Sequence, residues 1–177
     1  TFTTSCFDEM EHVPQYTADE THYLEIKHLD GHTEHMPGPC SCFRNPTVHE
    51  SITVREAISV NDGECIVVMK KAGPKDEQIT RSIIRGPRLH IPEAEEWMHE
   101  FLWHGSSRSN PEKKEPGALK FTHLRIVPDQ MYVTVPQVRT SENALLEIGL
   151  MIFWEINDVD VQLSRTHDPI DDLCNAA

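Results

Sequence analysis

The sequence predicts a mostly-β to α+β fold, in which two small antiparallel β modules precede an α+β domain. Three features support this fold class: a long alternating strand near the C-terminus, short apolar segments separated by Gly and Pro turns, and a helix start signal at Asp168. A chain of 177 residues can bury a sizeable core. None of its apolar runs reaches the roughly 20 residues needed to cross a bilayer.

The C-terminal strand is predicted over residues 145–156, which read LLEIGLMIFWEI. A buried helix could be equally apolar, but Gly149 and the β-branched and aromatic residues favour a strand. Glu147, Gly149 and Glu155 fall on one face. Every second residue on the other face is apolar: Leu146, Ile148, Leu150, Ile152, Trp154 and Ile156.

Two helices are predicted after this strand. Asn157 is expected to cap a short helix over residues 158–163, and Asp168 is expected to cap a second helix that begins at Pro169. Asp171 and Asp172 place carboxylates at the positive end of the second helix. That helix has no stop signal, so we expect it to continue and the sequence to be a piece of a longer polypeptide.

Turns rich in Gly and Pro, together with the loss of periodicity at the N-terminus, divide the chain into three predicted parts. Residues 1–21 lack periodicity and are expected to form a tail or an irregular edge, residues 22–80 form the β modules, and residues 81–177 form the α+β domain. The polar segment 104–117 is predicted to be a linker loop within that domain. Residues 97–103 are predicted to form one strand, with Trp97, His99, Phe101 and Trp103 on one face.

The β modules carry an internal repeat. Gly38-Pro39 recurs as Gly86-Pro87, a period of 48 residues from position 38 to position 86. Periods in this range indicate β modules stacked in a row, each unable to bury its apolar face alone.

Composition restricts the partners and the compartment. The chain has 16 basic and 29 acidic residues, for a net charge of -13, which repels phosphate backbones and argues against direct nucleic-acid binding. Its five cysteines are odd in number and irregularly spaced, unlike a disulfide framework. We therefore expect a reducing, cytoplasmic location.

One cluster of histidines and cysteines is a candidate metal site. Its members have the ligand types that zinc prefers, but not the spacing of a known zinc motif: His28, His32, His35, Cys40 and Cys42. A hairpin could bring His28 and His32 opposite each other. Histidines on a half-exposed sheet are the simpler interpretation, so we predict no metal and no other cofactor.

Catalytic motifs are weak in this sequence. His99 and His104 resemble a metalloprotease pair but are one residue too far apart to hold one ion from a helix or a strand. His167 and Asp168 could be half of a catalytic triad, although capping of the helix by Asp168 is the simpler role. Cys65 lies in an apolar strand and is expected to be buried and inert. We predict that the protein is not an enzyme.

A series of spaced motifs resembles a known family. The segments are RSIIRGPRLHIPE (81–93), LRIVPD (124–129), VRTSENALL (138–146), FWEIND (153–158) and HDPI (167–170). Together they resemble the shoulder region of the major vault protein family, which belongs to the SPFH (stomatin, prohibitin and flotillin) superfamily. The upstream modules with Gly-Pro turns resemble the repeats of the vault wall.

This resemblance implies a non-catalytic structural protomer of a large homo-oligomeric cage or ring, within a cytoplasmic ribonucleoprotein particle. Such protomers associate side by side through β modules and long helices. Trp97, Phe101, Trp103 and Trp154 are the candidate lateral contacts. Two alternatives stay open: a membrane-associated stomatin-like scaffold with an anchor outside this sequence, and a metal-binding protein or metal-dependent enzyme that uses the His28 to Cys42 cluster.

Overall fold

A computed structural model describes residues 13–73, 76–107 and 114–176. Strands account for 60% of the described residues and helices for 10%, which confirms the predicted fold class. The elements, in chain order, are β1 (Gln15–Ala18), β2 (His22–His28), β3 (Thr33–Pro37), β4 (Cys40–Phe43), β5 (His49–Glu56), β6 (Ile58–Val60), β7 (Glu64–Gly73), β8 (Asp76–Arg85), β9 (Arg88–His90), β10 (Glu96–Met98), β11 (Phe101–Ser106), β12 (Lys114–Phe121), β13 (His123–Arg125), β14 (Asp129–Arg139), β15 (Leu145–Trp154), α1 (Val159–Arg165) and α2 (Pro169–Ala176).

The described residues form two compact units. The first contains residues 13–58 and 89–94, and the second contains residues 59–88 and 95–176. This division differs from the predicted boundary at residue 80. The physical reason is pairing: β7 of the second β module pairs with β13, so that module joins the C-terminal part of the chain.

The first unit is built around β2, which pairs with β3 on one side and with β5 on the other. Its core contains Ala18, Leu24, Ile26 and Ile52. Because Ala18 belongs to β1, which pairs with β4, part of the predicted N-terminal tail is an ordered edge strand.

The second unit is built around β7, which pairs with β8, β10 and β13. Two separate hairpins, β11–β12 and β14–β15, complete its strands. One core joins strands and helices, and its buried members are Cys65, Val67, Phe101, Trp103, Leu124, Val159 and Ile170. Of the helices within the described residues, neither has the length and the apolar character needed to cross a membrane.

The two β modules are structurally equivalent, as the repeat predicts. In the first module β1 pairs with β4 and β2 pairs with β3 and β5; in the second, β6 pairs with β9 and β7 pairs with β8 and β10. The Gly-Pro glycines also match. Gly38 N–H donates to the His22 carbonyl at 3.1 Å, and Gly86 N–H donates to the Glu64 carbonyl at 3.0 Å.

These two glycines sit where the backbone approaches itself closely. A Cβ atom added at Gly38 would overlap the Asp19 carbonyl, and one added at Gly86 would overlap the Asn61 carbonyl. Only glycine leaves room for that contact. The spacing recognised in the sequence therefore reflects one constraint that each module repeats.

Three local predictions need correction. Residues 97–103 form two strands rather than one, because β10 pairs with β7 whereas β11 pairs with β12. The predicted linker 104–117 is largely strand: β11 runs to Ser106 and β12 starts at Lys114, while residues 108–113 lie outside the described residues. The first helix is capped by Asp158 rather than Asn157, since the Asp158 carboxylate accepts hydrogen bonds from the amides of residues 160 and 161.

Gly86→Ala tests the close approach in the second module. We expect the free energy of unfolding to fall by at least about 2 kcal/mol, because the new methyl group overlaps a backbone carbonyl that has no room to move aside. Gly31→Asn is the matched control, since Gly31 has open space around it and asparagine tolerates its positive φ. Urea unfolding followed by far-UV circular dichroism measures both. Equal midpoints for wild type and Gly86→Ala would contradict the prediction.

Candidate assembly surface

The β14–β15 hairpin is the candidate functional surface. Its strands pair with each other along almost their whole length and with no other described strand. The connecting turn is closed by a bond of 2.9 Å from Thr140 N–H to the Ala144 carbonyl, and Asn143 has a φ of 69°. The strand predicted from alternation over residues 145–156 is confirmed over Leu145–Trp154.

One face of this hairpin is apolar almost throughout. Residues directly opposite each other in an antiparallel pair lie on the same face. The register therefore places one series of side chains together: Met131 with Ile152, Val133 with Leu150, Val135 with Ile148, and Val138 with Leu146.

The base of the hairpin is anchored in the core of the second unit. Met131, Trp154 and Ile156 pack against the buried cluster, and the Trp154 ring lies 6.2 Å from the Trp103 ring. Trp103 in turn meets Phe121 edge to face at 4.9 Å. Such aromatic contacts are worth about 0.5 to 1.5 kcal/mol each beyond their buried area. They fix the hairpin at one end.

Beyond this base the hairpin exposes large apolar side chains. Leu146 and Ile148 remain exposed on the apolar face. On the opposite face, Phe153 is 74% exposed, Tyr132 57% and Met151 54%. Soluble proteins rarely expose so many large apolar residues side by side unless the patch binds something.

The structure places the four predicted contact residues differently. Phe101 and Trp103 are 2% and 3% exposed and belong to the core, so they leave the candidate surface. Trp154 is half-buried at the hairpin base, and Trp97 is exposed on β10. The sequence analysis missed Met151 and Phe153. Their signal was present, since the run Leu150 to Trp154 is apolar at every position and not only at every second one.

Asp168 fixes helix α2 to strand β11. One carboxylate oxygen accepts hydrogen bonds from the amides of Ile170 and Asp171, each at 3.1 Å, which confirms the predicted cap. The other oxygen accepts from the His104 amide at 2.5 Å and contacts His104 Nδ1 at 2.7 Å. Asp168 therefore has a structural role that uses both of its oxygens.

Burial shifts the pKa values of three groups in the second unit: it lowers that of His99 and raises those of the Cys65 and Cys174 thiols. Burial, followed by the nearby charges of His167 and Arg81, lowers the pKa of His99 below its ordinary value. Burial also raises the pKa of the Cys65 thiol, so the neutral thiol is favoured. Cys65 is fully buried, as the sequence predicts.

The metal candidates do not converge as a set. His28 and His32 do lie opposite each other, with ring centroids 5.7 Å apart, and His49 approaches His28 at 5.3 Å. His35 instead contacts Tyr23 and the Pro92 carbonyl. Cys40 and Cys42 lie in β4 and pack beside the first core. Among residues 13–73, 76–107 and 114–176, no group of three or more His, Cys, Asp or Glu side chains is arranged to hold a metal ion.

A cavity of about 570 Å³ lies beside the hairpin base within the second unit. Its walls are mainly aromatic and aliphatic, with Trp103, Phe121 and Trp154 among them. Two of its polar groups are already engaged, because His104 contacts Asp168 and Lys114 donates to the Ser106 hydroxyl at 3.1 Å. Its lining residues come mainly from β11, β12, β13 and the hairpin base.

Comparison of the chain with protein-family models, with curated proteins and with solved structures found no match.

Asp168→Ala tests the connection between α2 and β11. We expect it to lower the free energy of unfolding by about 2 to 3 kcal/mol, because it removes the cap and leaves the His104 amide without an acceptor. Asp158→Ala is the control, since that side chain caps α1 and the structure gives it no such second role; its cost is about 1 kcal/mol. Chemical denaturation measures both variants. A cost for Asp168→Ala no larger than the control would contradict the second role.

His99→Gln tests the half-buried imidazole. A folded pKa below the ordinary value of 6.5 means that the unfolded chain binds the proton more tightly, so stability falls as pH drops through about 6.5. We expect the melting temperature of the variant to depend less steeply on pH between 7.5 and 5 than that of wild type. Differential scanning calorimetry across this range makes the comparison. Identical slopes would show that His99 does not contribute.

Proposed function

We propose that this protein is a non-catalytic structural protomer of a large, vault-like homo-oligomeric cage or ring. The observation that carries the proposal is the β14–β15 hairpin, which exposes apolar side chains along one face and at several positions of the other. A two-stranded hairpin is marginally stable by itself in water. Cover by neighbouring protomers would supply the burial that the single chain lacks.

The exposed side chains are sufficient to drive association. Fully burying one large apolar side chain contributes about 1.5 to 3 kcal/mol. Four of them, Tyr132, Leu145, Met151 and Phe153, are 54% to 74% exposed, so covering their remaining exposed surface would contribute roughly 4 kcal/mol at the lower end of that range. Association also costs translational and rotational freedom, so one such contact is modest. A closed ring repeats the contact around its circumference, which makes many modest contacts cooperative.

The repeated modules support the same proposal. Two equivalent five-strand modules follow each other in the chain, and stacked β modules are typical of proteins that build extended walls. The motifs shared with the vault shoulder supply the proposed type of assembly. Because the net charge of -13 repels phosphate, the proposal includes contacts between copies and no direct contact with nucleic acid. The proposed location is the cytoplasm.

One specific observation favours a second candidate function, a membrane-associated scaffold. The exposed Phe153, Tyr132 and Leu145 are residues that also enter the interface of a lipid bilayer. The acidic chain would be repelled by anionic lipid surfaces, so self-association is the better supported function. Flotation of the protein with neutral phosphatidylcholine vesicles separates the two, since a scaffold of this type floats with the vesicles and a cage protomer stays in the dense fraction.

The double variant Leu146→Lys/Ile148→Lys tests assembly through the apolar face. We expect the wild-type protein to form large uniform particles in negative-stain images and in sedimentation velocity, and the variant to sediment as much smaller species, because lysine places charge in the proposed contact.

Leu29→Lys/Val54→Lys is the matched control, since these exposed apolar residues lie in the first unit, outside the hairpin. Circular dichroism verifies that each variant is folded. A wild-type protein that remains monomeric at all concentrations would overturn the proposed function.

A further inference from the structure

The two free edges of the β14–β15 hairpin differ in how open they are to another strand. On β14, the pairing shifts between Val135 and Val138, which leaves Pro136 and Gln137 in a bulge. Pro136 has no N–H to donate, and Gln137 has a φ of 59°. Prolines and bulges of this kind protect sheet edges from pairing with other chains. The β14 edge is therefore interrupted at Pro136 and Gln137.

The edge of β15 has none of these protections. Its ten residues run from Leu145 to Trp154 without a proline and with Glu147 as their one charged residue. The extra residues of the bulge belong to β14, so β15 keeps a continuous backbone. A long, flat and apolar edge strand is a template for another strand. The contrast between the two edges directs any strand addition to β15.

We propose that β15 pairs antiparallel with β15 of a second copy of this chain, which makes a four-stranded sheet with the two β14 strands outermost. This inference rests on the proposed function and names the contact through which two protomers join. Pairing would satisfy the free backbone groups of β15 and extend a two-stranded hairpin to the strand number at which sheets become independently stable. The two β14 strands would then form the outer edges of the four-stranded sheet, where Pro136 and the bulge hinder pairing with a further strand.

Self-pairing is favoured because β15 is complementary to itself. A two-fold axis perpendicular to the sheet keeps the apolar faces of both hairpins on the same side, and it places one residue of β15 opposite its own copy. With the axis at Gly149, Glu147 lies opposite Met151 of the second copy. With the axis at Leu150, Glu147 lies opposite Phe153. In neither register do two glutamates face each other, so the contact has no like-charge pair.

A charge substitution on the β15 edge tests this pairing. Met151→Lys/Phe153→Lys adds two charges to exposed positions of β15, and Gln130→Lys/Thr134→Lys adds the same two charges to the same face of β14. We expect the β15 variant to raise the dissociation constant of the two-copy contact at least about 100-fold, and the β14 variant to change it less than about threefold. Sedimentation equilibrium measures both, and tryptophan fluorescence checks that the core is intact.

Amide hydrogen exchange on the assembled wild-type protein gives an independent readout. We expect every backbone amide of residues 146–153 to be protected in the assembly, whereas the amides on the free side of β14 exchange rapidly in the same sample. Equal loss of association in both lysine variants, or rapid exchange at alternate β15 amides in the assembly, would overturn the β15 contact. Such a result would leave the proposed protomer function standing, because that function fails only if the wild-type protein does not assemble.

Discussion

The constraint on which the rest of this structure depends is that an apolar face of a sheet has to be covered. In the second unit β7 satisfies it fully, since side chains on both of its faces are buried: Cys65 and Val67 on one face, Ile66 and Val68 on the other. The β14–β15 hairpin satisfies it only at its base, where Trp154 packs against Trp103. The same chain thus contains one sheet whose apolar faces are covered and one hairpin whose apolar face is covered only at its base. We place the proposed function at the β14–β15 hairpin, because folding of the single chain already explains why the residues of β7 are buried.

The two modules show how a single backbone contact can generate a repeat that is visible in sequence. Gly38 and Gly86 are needed because each touches a carbonyl of the turn before the central strand of its module. The strands between these points differ in length and composition, since β7 and β8 have ten residues each while β2 and β3 have seven and five. Backbone contact constrains a glycine strictly, whereas strand length tolerates change. This explains why the Gly-Pro turns recur in both modules although the strands between them differ in length and composition.

The sequence predicts those features whose causes are local. Alternation over residues 145–156 predicts β15, and the proline and carboxylates after Asp168 predict α2, because strand periodicity and helix capping act within a few residues. The sequence does not predict features that depend on contacts between residues far apart in the chain. The separation of β10 from β11 follows from their different partners, β7 and β12, and the burial of Phe101 and Trp103 follows from packing against Phe121. Neither contact leaves a local signal.

The candidate surface could be predicted only in part for the same reason. Alternation identifies one apolar face of β15, but it does not say whether another sheet covers that face. Met151 and Phe153, on the opposite face, break the alternation and so indicate a strand that is apolar on both sides. Strands of that kind normally lie within a sheet that is covered on both faces. Here β15 lies at a free edge, and this mismatch between its composition and its position in the single chain is the physical reason for placing the contact between copies there.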